Sequence, residues 1–172
     1  MTTPNNTPKT ITIQLTKGYS TTIDAIDADI LKYSWRLSTV VEHYTVYAST
    51  IFFRDGKRII AQMHRMILER AIGRPLTKKE LVDHIDGNGL NNCRSNLRIA
   101  TSSQNMQNSK KSKANTSGFK GVSYHRRAQK WCAAISVNGK NKYLGLFESP
   151  EKAHEAYCEA AKKYFGEFAK LE

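Results

Sequence analysis

The sequence predicts an α+β protein of small modules: a β-rich N-terminal region, then a strand, loop, strand, helix unit, then a three-stranded antiparallel sheet packed on one helix. Three observations carry this. Apolar residues alternate with polar ones around turn signals in much of the chain, helical spacing is confined to a few segments, and no long apolar stretch is present to organise one large core. With 172 residues, 40% of them hydrophobic, the chain can bury one ordinary core or two to three small ones. The expected modules are a tip at 1–9, a β-rich region at 10–62, a central unit at 63–107, a basic linker at 108–117 and a C-terminal module at 118–172.

Residues 1–9 are polar with two prolines and are expected to be disordered. Ile11, Ile13 and Leu15 then alternate with polar residues before Lys17-Gly18, the pattern of a hairpin. Ile26, Ile30 and Tyr33 have helical spacing. A second β-rich run carries Tyr44, Val46, Phe52 and Phe53 before an Asp55-Gly56 turn, predicting another hairpin. Residues 64–73 place Met66, Ile67, Arg70 and Ala71 at helical spacing and stop at Gly73, with Pro75 beyond. In the window that follows, Val82-Asp83-His84 reads as a short strand and the segment from Asn96 as its antiparallel partner. Between them Asp86-Gly87-Asn88-Gly89 and Asn91-Asn92 form a loop rich in side-chain-to-backbone turns. Thr101 with Gln104 makes a capping box that opens a short helix holding Asn105.

The linker is small, polar and basic, so Lys110, Lys111 and Lys113 are expected to stay solvated or to lie along phosphates. Beyond it, three β runs around 119–126, 130–138 and 141–147 are joined by a polar connection and by Asn138-Gly139. Ser149 as N-cap, Pro150 and Glu151 then start a helix with a stripe of Ala153, Ala156, Tyr157, Ala160 and Tyr164, closed by Gly166.

Charge narrows the function. There are 27 Lys plus Arg against 15 Asp plus Glu, a net charge of +12 and a pI near 9.7, the footprint of a polyanion binder, with nucleic acid as the leading partner. No apolar run approaches a membrane span and no signal segment opens the chain, so no membrane partner and a cytoplasmic, intracellular location are expected. Cys93, Cys132 and Cys158 lack ligand or disulfide spacing and are read as reduced.

Two stretches resemble known families. The G-V, K-W-x-A-x-I, L-G-x-F and A-x-x-A-Y-x-x-A-A elements of the C-terminal module resemble an AP2 DNA-binding domain. The resemblance implies that the sheet face opposite the helix enters the major groove of double-stranded DNA. If Trp131, Ala133, Ile135 and Val137 pack on the helix, then Cys132, Ala134 and Ser136 face outward beside Ser123, His125, Asn141 and Tyr143. Plant members carry several Arg and a Glu on that face where this chain has small residues. Contacts to phosphate from Lys120, Arg126, Arg127, Lys130, Lys140 and Lys142, of broad sequence tolerance, are therefore expected rather than Arg forks to bases.

The central window, with its "DHIDGN" and "SNLR" elements, resembles the HNH nucleases, most closely the branch found in phage and intron homing endonucleases. The resemblance implies a ββα-metal unit in which His84 is the general base, Asn96 ties the loop to the metal-binding unit, and Asp83 and Asn105 are metal ligands. Commoner members have His at the last position. Asp and Asn offer hard oxygen donors, so Mg²⁺ or Mn²⁺ is expected rather than zinc. Asp86, Asn88, Asn91 and Asn92 are read as turn or capping residues, and His64 as a packing or capping residue at a helix start. The function implied is a metal-dependent DNA endonuclease that nicks one strand as a monomer on DNA, with a dimer as the alternative, in a phage-infected or bacterial cell. The rival is a DNA-binding regulator that has lost cleavage, which the Asn at position 105 would favour.

Overall fold

The computed structural model of the protein describes residues 10–39, 45–109, 111–112 and 114–171. The tip at 1–9, Tyr44 of the second β-rich run, and the linker cations Lys110 and Lys113 lie outside the described residues. The chain divides into two compact units, the first ending at Ala100 and the second beginning at Thr101.

The first unit opens with strands β1 (Thr10–Gln14) and β2 (Ser20–Asp24), an antiparallel pair. Lys17 and Gly18 both take positive φ in the tight turn between them. The helical spacing that follows produces a 3-10 helix, Ala25–Lys32, rather than an α-helix. Its buried residues, Asp27 and Ile30, are three apart, the 3-10 period, and this turns Ile26 out to solvent. Strands β3 (Arg36–Thr39), β4 (Val46–Arg54) and β5 (Lys57–Gln62) form an antiparallel sheet in that order. The β4–β5 hairpin is present with Asp55 and Gly56 both at positive φ, as a two-residue turn demands. Strand β3 has a single apolar residue, Leu37, so no alternation marks it in the sequence.

Helix α1 (Met63–Ile72) ends on left-handed Gly73, whose N–H donates to the Arg70 carbonyl. Its buried face is Met63, His64, Ile67 and Leu68, while Arg70 and Ala71 are exposed, so the face is turned from the one that spacing predicts. The rotation leaves Arg65 and Glu69 to hold the following segment: Arg65 donates to the Leu76 carbonyl at 2.6 Å and Glu69 accepts from the Leu76 N–H at 2.9 Å. Strands β6 (Leu81–His84) and β7 (Leu97–Ala100) pair without a register shift and pack against α1. Ile23, Ile30, Ala48, Met63 and Ile67 are fully buried at the centre of this unit, so the N-terminal strands share one core with α1 and β7.

The second unit begins with α2 (Ser102–Gln107), opened by the expected capping box between Thr101 and Gln104. Strands β8 (Val122–His125), β9 (Lys130–Val137) and β10 (Lys140–Phe147) form a sheet in the order β10, β9, β8, with a bulge between Tyr143 and Gly145. Asn138 and Gly139 take positive φ in the β9–β10 turn. Helix α3 (Pro150–Phe165) has Ser149 as its N-cap, accepting from the Lys152 N–H at 3.3 Å. It buries Ala153, Tyr157, Ala160, Ala161 and Phe165 against Val122, Ala133 and Ile135. The stripe therefore ends on Phe165, while Tyr164 turns outward and meets Lys142, whose ammonium lies 4.4 Å from its ring centre. Alanines bring the helix so close that a Cβ on Gly121, at φ +74, would stand 2.0 Å from the Tyr157 ring.

Gly121→Ala is expected to lower the stability of the second unit by ~2 kcal/mol or more, through both the clash and the left-handed backbone. Thermal melts of the full protein would show a depressed transition for residues 101–172, read by hydrogen exchange of β8 and β9.

Candidate active site

His84 closes strand β6 and is buried. Its ring sits between Tyr47 of β4, with centroids 5.8 Å apart, and His64 of α1, met edge-on at 5.2 Å. Its Nε2 faces the Asn92 side-chain oxygen at 3.4 Å. Asn92 is wholly buried, and its orientation is dictated from elsewhere: its amide nitrogen donates to Thr21 Oγ1 at 2.7 Å, and that hydroxyl donates to the Leu90 carbonyl at 2.7 Å. An acceptor held opposite Nε2 favours the tautomer with the proton there, which makes Nδ1 the basic nitrogen.

Asp83, one residue earlier, is buried too. Regular β6–β7 pairing gives it Arg98 as cross-strand partner, and Arg98 Nε and Nη2 both reach Asp83 Oδ2 at 2.8 Å. Alternation along an unbulged strand sends neighbouring side chains to opposite sides. Asp83 and Asp86 nevertheless lie near enough to His84 to favour its charged form.

The loop between the strands is a closed hydrogen-bond network around Asn96. Its oxygen accepts from the Asp86 N–H at 3.1 Å, and its amide donates to Asp86 Oδ1 at 3.0 Å and to the Asn91 carbonyl at 2.8 Å. Asp86 Oδ1 also accepts from the Asn88 N–H, and Asp86 Oδ2 from the Asn91 amide, both at 2.8 Å. Asp86, Asn88 and Asn91 therefore build the turn, as their residue types predict. Arg94 anchors the end of the loop through a two-point pair with buried Asp27, at 2.7 and 2.8 Å, while its N–H donates to Asp24.

In the second unit, pairing of Ser123 with Cys132 and of Asn141 with Ser136 puts Ser123, His125, Asn141 and Tyr143 on the sheet face opposite α3, all exposed.

Residues 61–107 match the HNH endonuclease family model, and residues 117–167 match that of the AP2 domain. The chain carries an HNH endonuclease domain and an AP2 domain. It is 42% identical over 77 residues to Protein 3.8 of Escherichia phage T7, covering 45% of this chain and 63% of that protein. It is 36% identical over 108 residues to an uncharacterized HNH endonuclease of Acanthamoeba polyphaga mimivirus, covering 63% of this chain and 55% of that one. The chain thus spans less than two thirds of the length of these relatives. No solved structure matches it.

Within the HNH domain, Asp83, His84 and Asn96 all belong to the β6, loop, β7 assembly of the first unit, whereas Asn105 lies on α2 in the second. The residues that sequence reading did not single out are Tyr47, Thr21, Asp24, Asp27, Arg94 and Arg98, which position the named ones. Asp24 and Asp27, two acids three apart in an otherwise acid-poor N-terminal region, were the available signal.

In the AP2 domain the cations predicted for DNA divide into two groups. Arg126, Arg127 and Lys140 are exposed at the ends of the sheet strands, and Lys111 donates to the Gly118 carbonyl at 2.5 Å. Lys120 is drawn inward, its ammonium donating to the Gln107 and Ser109 carbonyls at 2.8 and 2.6 Å. Burial, with help from Lys170, brings its pKa down to about 8. Lys142 is the partner of Ile135 on the helix side of the sheet and points at Tyr164, while Lys130 pairs with Glu148 at 2.7 Å. Four of the cations expected to meet phosphate, Lys111, Lys120, Lys130 and Lys142, thus have partners within the second unit. Among the described residues, no helix is long and apolar enough to cross a membrane.

Burial is the main influence on both site histidines. It lowers the His84 pKa, against the pull of Asn92, Asp86 and Asp83. It lowers that of His64 to about 3, with His84 and Arg65 acting in the same direction, and among the described residues His64 Nδ1 has no hydrogen-bond partner. Asp86 is the converse case: burial alone would raise its pKa, but hydrogen bonds from Asn88, Asn91 and Asn96 outweigh it and hold the carboxyl below the usual range.

His64 makes the HNH domain acid-sensitive. Unfolded, it takes a proton near pH 6.5; folded, it stays neutral down to about 3, so between those values the unfolded state binds more protons. Its stabilising contribution is complete above pH 6.5 and is expected to fall by up to ~1.4 kcal/mol per pH unit below it. Denaturant titrations from roughly pH 7.5 to 4.5 check this, with a shallower slope expected for His64→Gln.

Proposed function

We propose that the protein is a metal-dependent DNA endonuclease that hydrolyses one phosphodiester per encounter, nicking a strand, while its AP2 domain grips the duplex. The observation that carries this reading is His84: a buried imidazole, kept neutral by that burial and fixed in place by Asn92, at the end of β6 in a unit that matches HNH endonucleases. A neutral imidazole is what a general base requires at physiological pH. His84 takes a proton from water as the oxygen attacks phosphorus, the bond to the 3′ oxygen breaks, and that oxygen leaves and is protonated. Asn96 keeps the loop in the shape that holds β6 and β7 in register.

The donor chemistry fits a hard divalent cation. Among the described residues no three His, Cys, Asp or Glu side chains form a closed cage. Mg²⁺ is commonly held by one or two side-chain oxygens, with water and substrate phosphate completing the set. Asp83 would hold it from β6, and the family resemblance nominates Asn105 as the second donor, with Mg²⁺ or Mn²⁺ as the ion. When bound, the cation supplies charge stabilisation to the phosphate and the departing oxygen. The viral relatives fit action inside infected cells. One observation favours the rival, a non-cleaving DNA-binding regulator: both Arg98 nitrogens already engage Asp83 Oδ2.

Incubating supercoiled DNA with the protein and Mg²⁺ or Mn²⁺ should give nicked circles, and His84→Ala should slow this by about 10²- to 10⁴-fold while DNA binding persists. Equal behaviour of the two proteins would hand the case to the regulator. Because protonation of His84 removes the base and its pKa lies below 6.5, the acidic limb of kcat/KM should have its midpoint below pH 6.5.

A further inference from the structure

We propose that the tip of the β4–β5 hairpin is a second DNA-binding element, which docks on the duplex flanking the phosphate presented to His84. The inference rests on the reading that the HNH domain acts on DNA. The inner face of the hairpin is committed to the core: Ala48 and Thr50 are buried, and Phe52 packs on Tyr33 with ring centroids 5.4 Å apart. Its outer face is different. Ile51 pairs with Ile60 and Phe53 with Arg58, and cross-strand partners share a face, so these four side chains project together. Phe53 is 72% exposed and Ile60 62%. Apolar side chains this large and this exposed, side by side on a two-stranded ribbon, present a surface that no other described residue of the unit covers.

Charge says what covers it. Between Val46 and Gln62 the cations are Arg54, Lys57 and Arg58, and the sole acid is Asp55 in the turn. All three cations are exposed, and among the described residues none of them makes an ion pair. Arg58 shares the face of Phe53 and Ile60, whereas Arg54 and Lys57, paired across the strands, stand at the tip on the Phe52 face, where Arg54 lies over the Phe52 ring at 5.8 Å. An apolar wedge with Arg58 beside it and two further cations on the reverse face of the same tip is complementary to a nucleic-acid groove, whose floor offers sugar and base edges and whose walls are phosphates. A β-ribbon also fits the width of the major groove.

Position supports the same partner. Tyr47, Ser49, Ile51 and Phe53 share one side of β4, and Tyr47 is the residue that packs on His84 and His64. The loop covers this side near Tyr47, where a Cβ on Gly89 would come within 2.4 Å of the Val46 carbonyl, and it opens again toward Phe53. Six residues of strand span about 20 Å, or roughly six base pairs of duplex. DNA lying at His84 and following β4 reaches the tip.

The test measures binding without cleavage, using the full chain carrying His84→Ala, a labelled duplex of about 40 base pairs, no divalent ion, and salt from roughly 50 to 200 mM. Replacing Arg54, Lys57 and Arg58 together by Gln should weaken binding at least tenfold and flatten the slope of log affinity against log salt by about 2 to 3. Phe53→Ser with Ile60→Ser should weaken binding and leave that slope unchanged. Hydroxyl-radical footprints of both variants should lose protection on one flank only. Unchanged affinity, slope and footprint would overturn the proposal. So would a finding that the Ser variant abolishes self-association in sedimentation with DNA affinity intact, which would make the patch a contact between copies. A protein with His84 in place that binds through the hairpin but never nicks would overturn the nuclease reading and leave this one standing. Nicking with hairpin-independent binding would do the reverse.

Discussion

The first unit turns on one buried amide. Asn92 is fully enclosed, and it makes hydrogen bonds in both directions: its nitrogen to Thr21, its oxygen toward His84. A buried side-chain amide left without partners costs free energy of the order of the desolvation penalty, ~1–3 kcal/mol per group. The pairing is therefore strongly specified, and it settles two things together. It fixes the imidazole at the end of β6, and it fastens the loop to β2, where backbone bonds from Thr22 to Leu90 and from Asn92 to Thr22 continue the attachment. Without that anchor a two-stranded sheet of four-residue strands would have little to hold it, since isolated hairpins are marginal in water.

The same logic explains why the N-terminal strands are part of the nuclease core and not an appendage. Asp27 is buried under Arg94 in a two-point ion pair, and Asp83 under Arg98. Removing either arginine would leave an uncompensated buried charge, a loss of ~3–5 kcal/mol. These pairs tie residues near the start of the chain and on β7 to the loop and to β6. The cost is borne in the acid range, where the buried histidines resist protonation.

The net charge of +12 is unevenly used. In the AP2 domain Lys120, Lys130 and Lys142 serve the fold: one holds carbonyls near the end of α2, one pairs with Glu148, and one lies on Tyr164. Arg126, Arg127 and Lys140 on the sheet, with Arg54, Lys57 and Arg58 on the β4–β5 hairpin, stay exposed. A count of cations measures the field of the whole protein, whereas the surface that meets phosphate depends on which ammonium groups the fold has already engaged.

Local patterns carried a good deal. The turn residues Asp55-Gly56 and Asn138-Gly139, the Thr101–Gln104 capping box, the Gly73 stop and the Ser149 N-cap are all realised, because each is decided by a few adjacent residues. Where neighbours were insufficient the pattern misled: Ile26 turned outward in a 3-10 helix, α1 rotated its face, and β3 left no trace. The sequence by itself determined the turns, the caps and the likeness to HNH and AP2 domains, since each is written in a short run of neighbouring residues. Tertiary structure alone decided which groups support His84, because Thr21 and Asn92 stand 71 positions apart and meet only when the core around Ile23, Met63 and Leu97 has closed.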